Sequence, residues 1–74
     1  MRLAFDAGER RSTNLIDVFN REIEATVGVV DYAEVRSIDD LELVEVIENT
    51  VIVAVAVNFG QARLLDNLTL SNAE

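Results

Sequence analysis

The chain of 74 residues contains no cysteine, no histidine and no lysine. Without Cys there is no disulfide to staple a small core and no thiolate site for zinc, and without His there is no imidazole to bind a metal or act as a base near neutral pH. Those absences remove the commonest catalytic groups. Long apolar runs are missing too: the longest, Val51 to Val57, is far short of the roughly 20 residues that a spanning helix needs. No basic-then-apolar leader stands at the N-terminus, so the expected setting is soluble and cytoplasmic, with no membrane partner. The sequon at Asn67-Leu-Thr69 needs a secretory route that nothing else in the sequence supplies, and it is read as chance.

Positive charge is also scarce. Fourteen acidic residues face six arginines, a net charge of −8. The imbalance is uneven, since residues 1–28 hold four Arg against five acids while residues 29–74 hold two against nine. Such a surface repels phosphate backbones and anionic lipid, so no nucleic-acid partner is expected. A chain of this length makes one domain at most, residues 1–74, and buries only about 60–65% of the surface its unfolded form exposes. Its stability margin is thin.

What is present reads as helix first and strand later. Arg2 to Gly8 looks like the tail of a helix whose beginning is absent, with Gly8 suited to a left-handed C′ position. Ser12-Thr13-Asn14 offers N-cap oxygens, and Leu15, Ile16, Phe19, Ile23 and Val27 then recur at helical spacing, so a helix is predicted over 14–27 with Gly28 closing it. Asp17 stands four residues before Arg21, a weak surface pair. From Val29 to Arg36 the β-branched and aromatic residues predict a strand with one face partly wet. The acids Asp39, Asp40, Glu42, Glu45 and Glu48 lack the central glycine of a calcium loop and read as a solvated stretch. Val51 to Val57, apolar at every position, predicts a central strand covered on both sides.

Asn58-Phe59-Gly60-Gln61 can turn the chain into a last strand, giving a hairpin. On that strand Ala62, Leu64, Leu68 and Leu70 share a face with Asp66, while Arg63, Leu65, Asn67 and Thr69 share the other. A carboxylate in an apolar stripe must be hydrogen-bonded or paired. Arg63, the hairpin amides and Asn67 are its candidate partners, so Asp66 reads as a buried structural acceptor rather than a catalytic acid. Tyr32 reads as a half-buried packing residue. No nucleophile elbow, phosphate-binding glycine loop or zinc spacing is present. The fold class expected is α+β: an antiparallel sheet of three or four strands packed with one main amphipathic helix.

Ala7-Gly8-Glu9-Arg10, the amphipathic helix, Val30-Asp31-Tyr32 leading to Val35, the apolar strand, and finally Gly60 with Ala62-Arg63-Leu64-Leu65-Asp66-Asn67 occur in this order. Together they resemble the C-terminal domain of the pantoate–β-alanine ligase (pantothenate synthetase) family over nearly the whole chain. Gly60, Arg63, Leu64, Asp66 and Asn67 carry the most specific part, the family's closing G-x-x-R-L-I-D-N signature, with Leu65 in place of the usual Ile. The resemblance implies an enzyme that joins pantoate to β-alanine with ATP and Mg, through a pantoyl adenylate, releasing AMP and pyrophosphate. It also implies that this chemistry resides in an N-terminal catalytic domain, the partner of a lid represented here. No catalytic, cofactor-binding or metal-ligating residue carries over, and the five signature residues are expected to shape the hairpin.

Two functions from different classes follow. One is a lid, inert alone, that belongs to a ligase; the other is a small homo-oligomeric interaction module that reuses the lid fold. The family's lid begins with a longer helix, of which only the last turn stands here. One full helix covers one face of a sheet, and Val51 to Val57 is apolar on both, so a homodimer is expected, with Leu3, Phe5 and the strand residues near the contact.

Overall fold

A computed structural model describes residues 1–71. Five elements follow one another: α1 (Arg2–Asp6), α2 (Ser12–Glu24), β1 (Val29–Ser37), β2 (Val51–Asn58) and β3 (Arg63–Leu70). The strands form one antiparallel sheet in the order β1-β2-β3, so the class is α+β with a three-stranded sheet.

The short α1 ends as its glycine predicts. Gly8 takes φ +113°, its N–H reaches Phe5 O at 3.0 Å and the Glu9 N–H reaches Ala4 O at 3.0 Å. This is the paired closure of a Schellman turn, which satisfies carbonyls the helix would leave open. Arg10 then folds back over it. Its guanidinium lies 3.8 Å from the centre of the Phe5 ring and donates to Phe5 O at 2.6 Å and Glu9 O at 2.9 Å, so one side chain caps the helix and covers its buried aromatic.

The start of α2 differs from the sequence reading. The N-cap is Arg11, and no side chain caps the helix. Ser12 lies inside the first turn, buried, with its hydroxyl donating to Val44 O. The segment after β1 outcompetes the capping pattern because it pairs with the helix entrance: Ser12 N–H donates to Glu45 O, and Ile47 N–H to Arg10 O, both at 2.8 Å. The end of α2 differs too. Helical structure stops at Glu24 and Val27 is 85% exposed. The turn is closed by Thr26, whose hydroxyl donates to Ile23 O at 2.6 Å and accepts the Gly28 N–H at 2.9 Å.

Gly28 has a different duty from the one expected. Its φ is not left-handed. A Cβ there would stand 2.6 Å from Phe59 Cε1 and 2.9 Å from Val57 Cγ1, so it is a close-approach glycine where the α2–β1 connection crosses the hairpin.

β1 carries a bulge between Val30 and Tyr32, and its register with β2 sets two faces. One face takes Val35, Val53 and Leu68 in one row and Ser37, Val51 and Leu70 in the next. Phe5 and Leu15 from the helices and Ile47 from the long connection close over these rows to make the core. The other face takes Tyr32, Ala56 and Leu65 in a row, then Glu34, Ala54 and Asn67. β2 is central, as its composition predicts, but its cover is not symmetric. Helices pack on the face of Val51 and Val53, while Ala56, fully buried, is flanked by its register neighbours Tyr32 and Leu65 on the outer face. On that face Ala56 alone is buried, Ile52 and Ala54 are half-buried and Asn58 is exposed, so the outer side of β2 is only partly covered.

Candidate functional site

The hairpin signature begins in the β2–β3 turn. Phe59 N–H donates to Ala62 O at 2.8 Å and Gly60 N–H to Asn58 Oδ1 at 2.8 Å. Gly60 takes φ +85° with open space around the missing Cβ, so only its backbone conformation requires glycine. Beyond the turn the signature residues alternate as a strand must. Leu64 and Asp66 stand opposite Val57 and Val55 on the helix-facing side; Arg63 and Asn67 stand opposite Asn58 and Ala54 on the outer side. The four side chains therefore do not converge.

Arg63 is not the partner of Asp66. Its Nε donates to Asp31 Oδ2 at 3.0 Å, tying the start of β3 to the bulge of β1 across the central strand. Sequence reasoning missed Asp31, because the bulge that aims its carboxylate leaves no signature in composition. Asp66 is exposed rather than buried, and its Oδ1 accepts the N–H of Asn67 at 2.8 Å. The reason is the placing of the helices. They close over β1, β2 and the Leu70 end of β3, leaving Leu64 48% exposed and Asp66 at the rim. A hollow of about 120 Å³, lined by Met1, Phe19, Val53, Val55 and Leu68, opens beside Asp66. Tyr32 is 41% exposed on the outer face, more open than the half-buried packing residue expected.

Glu9 is the titratable group that the fold perturbs most clearly. The Arg11 N–H at 3.0 Å, the Asn14 side-chain amide at 3.2 Å and the Arg10 N–H at 3.1 Å all donate to its carboxylate and hold its pKa below the ordinary value. Its work is to organise the entrance of α2. The five acids of the long connection are exposed, as a solvated stretch should be. Among the described residues no three acidic side chains gather where they could hold a metal ion.

A three-stranded antiparallel sheet under two helices defines a small α+β module. The family profile described as Pantoate-beta-alanine ligase matches residues 2–69, and the chain belongs to that family. It is 46% identical over 68 residues to the pantothenate synthetase of Geobacillus thermodenitrificans, covering 90% of this chain and 24% of that protein. The pantothenate synthetase of Bacillus cytotoxicus is 42% identical over 67 residues, covering 89% of this chain and 24% of its own length. That of Bacillus cereus strain ATCC 10987 is 40% identical over 67 residues with the same coverage. The chain thus spans about a quarter of the length of the curated relatives it matches.

Proposed function

We propose that these residues form the C-terminal lid of an ATP-dependent, AMP-forming ligase that condenses pantoate with β-alanine in the cytoplasm. The observation that carries the reading is the similarity over nine-tenths of this chain and only a quarter of its relatives, joined to the closing signature at Gly60, Arg63, Leu64, Asp66 and Asn67. In this reading the N-terminal catalytic domain of the same enzyme binds the substrates and performs the transfer. Closure of the lid excludes water from a mixed anhydride that water would hydrolyse.

In this reading ATP and Mg are held outside these residues: the sequence offers no phosphate-binding glycine loop and no lysine, and of its six arginines Arg36 and Arg63 already pair with Glu34 at 3.1 Å and Asp31 at 3.0 Å. Both ligands belong to the catalytic domain in this reading, and the chain alone is inert. Purified protein should form no pantothenate from pantoate, β-alanine and ATP, and calorimetric titration should show no micromolar affinity for ATP or pantoate. Turnover or such affinity would overturn the proposal.

The homodimeric module is the second reading, and the outer sheet face favours it. Tyr32 and Leu65, 62% exposed, flank Ala56 there. The two ion pairs of that face cancel in charge within a chain of net −8. Self-repulsion is least on this surface. Phe5 cannot serve as the contact first expected, being 3% exposed within its own core, whereas Leu3 is 84% exposed. Light scattering after gel filtration decides: a folded monomer at about 100 μM, far above the range of a specific interface, rejects the dimer. Among the described residues no helix is long and apolar enough to cross a membrane.

A further inference from the structure

We propose that the first half of β1 is a docking groove for an extended, basic peptide segment that adds a strand to the sheet beneath α2. β1 is an edge strand, and its free edge is treated unequally along its length. At Val35 to Ser37 the long connection folds against it: Val44 N–H donates to Val35 O, Ser37 N–H donates to Glu42 O, and Arg36 bridges Leu43. Along 29–33 no described residue takes up that edge. An open edge of five residues runs about 17 Å, the length of a short peptide strand.

The edge borders a cleft of about 500 Å³ between α2 and β1, with Ile16 and Ile23 as apolar wall and Glu24 and Asp31 as its acidic residues; Asp31 already holds Arg63 at 3.0 Å, so the charge left to a ligand is that of Glu24. No basic residue lines it. Asn20 also lines it, and Asn20 Oδ1 is buried without a hydrogen-bond partner. A buried acceptor left unmatched is costly, and a main-chain N–H or a cationic donor is the group that would satisfy it. Strand addition supplies main-chain hydrogen bonds, with alternate side chains entering the cleft. Glu24, in a chain of net charge −8, selects arginine or lysine there. A second copy of the same edge is disfavoured, since it would bring Glu24 against its own kind and oppose two bulged strands.

The test is an NMR titration of the full chain, with fluorescence anisotropy for affinity, using a short capped peptide that alternates arginine with valine. Three companions accompany it: the same peptide with glutamate for arginine, the same peptide N-methylated on its edge-pairing amides, and the variant Asn20→Leu. The groove predicts saturable binding below about 1 mM, with shifts at Val29 to Ala33 and at the Asn20 side-chain amide. Affinity should fall at least about tenfold on N-methylation, because several main-chain bonds are lost together, and comparably for the glutamate peptide. Asn20→Leu should stay folded by its amide spectrum and bind more weakly. No saturable binding of the arginine peptide overturns the proposal. So does binding that survives N-methylation, shifts at the β3 edge instead, or dimerisation through β1 without peptide. None of these outcomes depends on the ligase reading.

Discussion

Gly28→Ala tests the packing of the hairpin against the helix end. The added methyl carbon would stand 2.6 Å from Phe59 Cε1, 2.9 Å from Val57 Cγ1 and 3.1 Å from Ile23 Cγ2. Carbon atoms rest comfortably at about 3.5–4.0 Å, so the phenyl ring must withdraw by about 1 Å while β2 and α2 hold the other two sides. Overpacking of this kind costs about 1–3 kcal/mol. The gain of about 0.4–1 kcal/mol from a stiffer unfolded chain offsets only part of that. In a domain this small each kcal/mol moves the melting temperature by about 4–8 °C, so thermal denaturation followed by circular dichroism should show a fall of about 5–15 °C. Phe59→Leu should remove part of the penalty of Gly28→Ala in the double variant, since it deletes the nearest atom while Val57 Cγ1 stays at 2.9 Å. Gly60→Ala is the contrast: it meets no atom but takes φ +85°, costs about 1–2 kcal/mol in strain, and should gain nothing from Phe59→Leu. A Gly28→Ala protein that melts with or above wild type, or a loss that Phe59→Leu leaves intact, would rule out this close approach.

Three further outcomes are expected. Asp66→Ala should fall within about 0.5 kcal/mol of wild type, because its carboxylate is exposed, whereas Leu70→Ala, fully buried in the core, should cost about 2–5 kcal/mol in chemical denaturation. Ser12→Ala should lower stability by about 1 kcal/mol by removing its bond to Val44 O, and should raise hydrogen exchange of the neighbouring Ile47 amide. Glu9 has a depressed folded pKa, so its contribution is present above the ordinary carboxylate value and lost as pH falls through the lower folded one. The melting difference between wild type and Glu9→Gln should therefore be full near neutrality and shrink below about pH 4.3.

The long-range pattern was legible in the residues, and the local ends were not. Periodicity marked α2 through Leu15 and Ile16, and β-branched density marked β2 as central, because burial repeats over many residues. Gly8 and Gly60 could be read as turn glycines from their flanks. Gly28 could not, since its need comes from Phe59, thirty-one positions away in sequence, and composition carries no trace of that approach. Ser12 looked like a cap for the same reason: the competing partner, Glu45 O, arrives from the far side of β1. Asp66 was misjudged because strand alternation tells which face a residue takes but not how far the covering helices reach. The β2–β3 hairpin was visible from its turn residues, while the Asp31 partner of Arg63 depends on a bulge that only the register reveals.

On the proposed function, this chain completes a pantoate–β-alanine ligase without contributing the reacting groups. The most direct measurement exchanges the matching quarter of the Geobacillus thermodenitrificans relative for these residues and follows pantothenate formation beside the parent protein and a version lacking that quarter. The exchanged protein should turn over, and turnover should be lost, or hydrolysed adenylate released, when the quarter is absent. A well-folded exchanged protein with no turnover, or an unimpaired enzyme without the quarter, would contradict that function.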